Sequence, residues 1–111
     1  MLNSKFAPNG MVVAPHHLAA EAGLSVLREG GNALEAMIAA AAAIAVVYPH
    51  MNSIGGDGFW LISPANGDPV AIDACGAAGS GATIARYTEE GLDEVPSRGP
   101  LAAVTVAGTI S

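Results

Sequence analysis

From His17 onward the apolar positions recur at helical spacing. Ala20, Gly23, Leu24 and Leu27 fall on one face, while Glu21, Ser25 and Arg28 are left for the other. The stretch "REGG" (28–31) closes that helix, with Gly30 or Gly31 suited to the left-handed position after its last turn. A second helix follows at once. Asn32 stands where an N-cap belongs, and Glu35 three residues later completes a capping-box pattern in "NALE". Helix propensity is high through "AMIAAAAAIA", and Pro49 ends the run because the residue before a proline avoids the helical region. This helix is apolar nearly all round, so the pattern predicts burial on most of its sides.

Short apolar runs predict the strands. "GMVVAP" (10–15) reads as one, bounded by Gly and Pro. "GFWLIS" and "PVAIDA" read as a hairpin, because Asn66-Gly67 in the connection is a strong turn dipeptide. A short helix around 82–90 and an exposed acidic loop come next, and "LAAVTVAG" (101–108) reads as a further strand. These elements make an α/β or α+β protein. The sequence stops three residues later without a closing polar segment, as expected of a piece of a longer domain.

Composition sharpens that expectation. The 111 residues suffice for one domain, but 51% are hydrophobic, only 5% aromatic, and 14 are glycine. Small side chains allow close approach yet bury little area per contact, so such a core needs further layers. The net charge is −6, with no Lys/Arg cluster, which argues against nucleic acid and against a basic membrane-surface helix. The apolar run from Ala36 to Tyr48 falls short of the ~20 residues that span a bilayer. No apolar signal region follows Met1, so a cytoplasmic protein is expected. Cys75 is the sole cysteine and forms no internal disulfide.

Candidate chemistry centres on "PHMNSIGGDGFW" (49–60). The backbone N–H groups of "GGDG" could cradle an anion, although a tight helix-to-strand connection explains the glycines as well. His16, His17, His50, Asp57 and Asp73 are metal-ligand types at no metal-binding spacing, so no metal is expected. Cys75 is either a nucleophile awaiting a base or a small apolar side chain. Asp73, at the end of an apolar run, is placed to orient a neighbouring loop by hydrogen bonds. The acidic run at 89–94 reads as solvated surface.

The order of these pieces resembles the N-terminal part of the gamma-glutamyltransferase family. A short strand from Gly-Met, a helix ending "EGGNA", an alanine-rich helix closing near Pro, "GGDGF" and a strand ending "AID" follow one another over about residues 10–83. "VTVAG" (104–108) is similar to the family's next segment. The resemblance implies an α+β chain carrying part of an N-terminal-nucleophile fold, layered αββα. It implies residues 1–111 as the N-terminal segment of a large subunit, from a precursor that cleaves itself. The freshly exposed threonine of the small subunit is then nucleophile and, through its α-amine, its own base. None of Thr83, Thr88, Thr105 or Thr109 lies in the family's nucleophile motif, so the resemblance places no catalytic residue in this chain and implies no cofactor. The implied partners are a small amide substrate and the rest of the precursor.

One position departs from the family pattern. Members that bind the γ-glutamyl group carry an arginine two residues after the Asp of "AID", and Cys75 stands there in this chain. A thiol cannot make the bidentate contact that an arginine makes with the substrate's α-carboxylate. The departure favours another amide, and "DACG" with "YPHMNSIGGDGFW" is similar to the oxamate-amidohydrolase-like branch. Cys75, Asp73, Gly55 and Gly56 are the substrate-side residues so implied. True γ-glutamyl transfer or glutathione hydrolysis is the first alternative. A non-enzymatic binding domain, complete as it stands, is the second.

Overall fold

In the computed structural model, residues 4–102 and 105–109 are described. They form mixed α and β structure in two compact units that divide after Ser53.

The first unit holds α1 (His17–Arg28) and α2 (Ala33–Val47). His16 caps α1, its Nδ1 accepting the Leu18 N–H at 3.2 Å, a role the sequence pattern did not suggest for a histidine. The helix ends on Gly30, whose φ of 91° is left-handed. Gly30 N–H donates to Leu27 O and Gly31 N–H to Val26 O, the paired bonds of a Schellman ending. Asn32 then starts α2 as expected. Its Oδ1 accepts from Leu34 and Glu35 N–H, while Glu35 Oε2 accepts the Asn32 N–H at 2.8 Å.

The two helices meet through small residues. Ala19, Gly23, Ala36 and Ala40 are buried, at i and i+4 on each helix. A Cβ on Gly23 would lie 2.7 Å from the Ala36 carbonyl oxygen, so hydrogen alone fits there. The buried line of α1 is thus centred on Ala19 and Gly23, with Ala20, Leu24 and Leu27 only half-buried beside it.

Two expectations are corrected here. Residues 10–15 form no strand, because an extended run becomes one only with a ladder partner. Val12 instead sets its side chain against the helix pair at Gly23. Nor is α2 covered on most sides: Leu34 is 43% exposed, Ile38 58% and Val46 77%. Within its unit α2 packs on α1, and one helix covers only one stripe of another.

In the second unit β1 (Gly58–Ile62) and β2 (Val70–Ala74) pair antiparallel, with Gly58 opposite Ala74 and Ile62 opposite Val70. The hairpin is as the pattern predicts, and Gly67 takes a φ of 132° in its connection. Gly58, Trp60 and Ile62 share the half-buried face, and Phe59 and Leu61 the exposed one. The short helix α3 (Ile84–Glu89) is capped by Thr83 and falls within the expected 82–90. Of the strand expected at 101–108, the described residues show none. Leu101 and Ala102 belong to a single 3-10 turn, held by the Tyr87 hydroxyl donating to Leu101 O. Residues 103 and 104 lie outside the described ones, and from Thr105 onward there is only an isolated bridge to Ala78. Among the described residues no helix is long and apolar enough to cross a membrane.

Candidate functional site

The end of β2, the glycine loop and the segment 105–109 converge within the second unit. Gly56 O is the anchor: it accepts the N–H of Gly108 and of Thr109, both at 2.9 Å, and the Thr109 hydroxyl as well. Val106 N–H donates to Ala77 O at 2.9 Å, continuing the seam past the end of β2. Three backbone segments approach so closely that side chains are excluded. A Cβ on Gly76 would lie 1.4 Å from the Val106 carbonyl oxygen, and one on Gly108 would lie 2.4 Å from Ala74 O. The glycine loop therefore lends a carbonyl to structure. Gly55 is different, since a Cβ there would meet nothing within 4 Å.

Two carboxylates shape the turn that follows β2. Asp73 Oδ1 accepts the Cys75 N–H at 2.9 Å, the local turn that a carboxylate ending a strand can make. Asp57 Oδ1, from inside the glycine loop, accepts the Gly76 N–H at 3.1 Å across 19 positions of sequence. The Cys75 thiol and the Thr105 hydroxyl lie beside the Asp57 carboxylate and bear on its proton.

These contacts bias both protons. The Gly76 N–H, then the thiol and Thr105, hold the Asp57 carboxyl below its ordinary value, against a smaller opposing effect of desolvation. The interaction with the Asp57 carboxylate pushes the Cys75 thiol up, and desolvation and the charges of Asp57 and Asp73 add to it. Cys75 is thus held as a neutral thiol beside two carboxylates. A low proton affinity is what makes a cysteine nucleophilic, and the surroundings here act the other way.

Of the residues singled out from the sequence, the structure gathers Asp73 and Cys75 at one turn and ties Gly56 to the segment beside it. Asp57 was weighed only as a metal-ligand type, and it makes the longest-range side-chain contact of the turn. A carboxylate placed inside a glycine loop was the available signal. Three threonine hydroxyls are hydrogen-bonded: Thr83 caps α3, Thr88 donates to Ile84 O, and Thr109 donates to Gly56 O. His16 stacks on His17, and His50 lies against Tyr48 with ring centroids 4.2 Å apart. Among the described residues no three His, Cys, Asp or Glu side chains gather as a metal would require.

This arrangement has counterparts in known proteins. The sequence profile of the family described as Gamma-glutamyltranspeptidase matches residues 19–111. The oxamate amidohydrolase proenzyme of Klebsiella pneumoniae is 65% identical over 111 residues, covering all of this chain and 21% of that protein. The glutathione hydrolase-like YwrD proenzyme of Bacillus subtilis is 41% identical over 110 residues, with 99% of this chain and 21% of its own length covered. The crystal structure of Helicobacter pylori gamma-glutamyltranspeptidase superposes with a TM-score of 0.84 at 39% identity, over 97% of this chain and 32% of that one. The chain thus spans about a fifth of the length of these curated relatives. Its mixed α+β structure is part of the N-terminal-nucleophile fold of those neighbours. Sequence match and superposition agree across the helix pair, the hairpin and the turn, and the chain belongs to the gamma-glutamyltranspeptidase family.

Proposed function

We propose that residues 1–111 are the N-terminal segment of the large subunit of an amidohydrolase, which cleaves a small amide such as oxamate. The segment supplies scaffold and one wall of the substrate site. The reactive hydroxyl comes from a threonine exposed when the precursor cleaves itself. Its attack on the amide carbonyl breaks the C–N bond, releasing the amine (ammonia in the case of oxamate), and leaves an acyl-enzyme. Water hydrolyses that intermediate to the free acid, restoring the hydroxyl. Cys75, Asp73, Gly55 and Gly56 are assigned to the substrate side. That the relatives are proenzymes, and that α2 leaves Leu34, Met37, Ile38 and Val46 exposed, supports further polypeptide of the same precursor as the partner of this segment.

The observation that carries the choice of substrate is the Cys75 turn. A γ-glutamyl substrate places an α-carboxylate at the far end of its chain from the scissile carbonyl, and that carboxylate needs a cation. At this turn the side chains are a neutral thiol and the carboxylates of Asp57 and Asp73. Oxamate carries its carboxylate directly on the reacting carbonyl and needs no cation at that distance. The likeness to the Klebsiella oxamate amidohydrolase proenzyme supports the same reading.

Glutathione hydrolysis is the second reading, favoured by the names of the Bacillus and Pseudomonas relatives at 41% and 39% identity. Replacing Cys75 by Arg in the full-length protein separates the two. We expect C75R to raise kcat/KM for a γ-glutamyl anilide by at least about tenfold, the worth of one charge-assisted contact. A wild-type protein that already hydrolyses the anilide well, with no gain in C75R, would refute the oxamate reading.

A further inference from the structure

We propose that Asp57 is a positioning residue for substrate selection: through the Gly76 N–H it fixes the turn after β2, and with its charge beside Cys75 it makes that turn a wall that rejects a distal carboxylate. The inference rests on the amidohydrolase reading and adds to it the residue that enforces selectivity.

The geometry separates two tasks of one side chain. Asp57 Oδ1 accepts the Gly76 N–H at 3.1 Å, joining the glycine loop to the turn across 19 residues. This bond is the side-chain link between loop and turn, beside the backbone bonds of Gly56 to Gly108 and Thr109 and of Val106 to Ala77. The second task is electrostatic. Asp57 carries its charge beside the Cys75 thiol and favours its neutral form, and the neighbouring Asp73 accepts the Cys75 N–H. The turn therefore presents carboxylate charge to its surroundings. A substrate carboxylate arriving there would be repelled by like charge, which discriminates by exclusion rather than by a lost attraction. Cys75 alone would only fail to attract such a substrate. With Asp57 behind it, the position opposes one.

Asn and Ala at position 57 divide these tasks. Asn keeps an acceptor for the Gly76 N–H and removes the charge, whereas Ala removes both. In the full-length protein, alkylation of Cys75 by iodoacetamide is followed against pH by peptide mapping. kcat/KM is measured for oxamate and for a γ-glutamyl anilide. The wild-type thiol should react only at higher pH than an ordinary thiol. In D57N its profile should move toward neutral pH, and the ratio of anilide to oxamate kcat/KM should rise severalfold with oxamate KM little changed. D57A should show the same shift and a raised oxamate KM, because the turn is released. A wild-type profile like that of a free thiol would overturn the proposal, as would a D57N profile and substrate ratio both matching wild type. Should D57A not fold, D57N and the wild-type profile still decide the matter. A wild-type preference for the anilide would defeat the amidohydrolase reading for oxamate, while the two thiol profiles would still report whether Asp57 governs Cys75.

Discussion

Asp73 and Asp57 end up at the same turn, yet only one was legible in the sequence. Asp73 bonds a backbone N–H two residues on, and a short polar side chain closing an apolar run suggests that local bond by itself. Asp57 finds its partner 19 positions away, so its place depends on how the hairpin folds back. The shifts at this turn set a pH window. Asp57 lies below its ordinary 3.8, so the stability it contributes is present above that value and disappears as acid carries pH through its lowered folded value. Cys75 lies above its ordinary 9.0, so its contribution is complete below that and disappears as pH rises through the raised folded value. Denaturation of wild type and D57N across pH should therefore converge in acid, differ most between those limits, and differ less once the thiol ionises. A difference independent of pH would contradict the assignment. Gly76 offers a simpler check. A methyl group 1.4 Å from a carbonyl oxygen cannot be absorbed by side-chain motion, so Gly76→Ala should cost at least the ~3 kcal/mol upper range of overpacking, read as a lowered denaturation midpoint.

At the scale of elements, α2 was readable to the residue because its limits are local chemistry. The Asn32–Glu35 box opens it, and Pro49 forces it to stop. Asn32→Ala should cost about 1 kcal/mol in denaturant unfolding of the full-length protein, with activity retained. The helix pair carries a sterner constraint. Gly23→Ala raises helix propensity, yet it drives a Cβ to 2.7 Å from the Ala36 backbone and 2.9 Å from Val12 Cγ1. Overpacking should prevail and destabilise by about 1–3 kcal/mol. An unchanged or raised midpoint would mean that the helices can move apart freely. Neither 10–15 nor the described part of 101–108 forms a strand, for one reason. Apolar, β-prone residues define a willingness to extend, whereas a strand needs a neighbour with its own free N–H and C=O groups. Val12 packs on helices instead, and the 105–109 segment spends its bonds on Gly56 and Ala77.

For the whole molecule, composition gave the most and the geometry of the turn the least. An alanine-rich chain with 5% aromatic residues buries little per contact, and the structure agrees: its fully buried apolar residues are Ala19, Ala36 and Ala40 among those described. A helix apolar on every side and covered on one is what a segment spanning about a fifth of its relatives' length should show. The turn proposed to set selectivity, by contrast, is the meeting of three short segments, which no single stretch of sequence announces. The most direct measurement compares full-length, processed protein on oxamate and on a γ-glutamyl anilide under one set of conditions. The account predicts that kcat/KM for oxamate exceeds that for the anilide by at least about a hundredfold, the worth of a missing cation together with a like charge. Equal or better turnover of the anilide would contradict it.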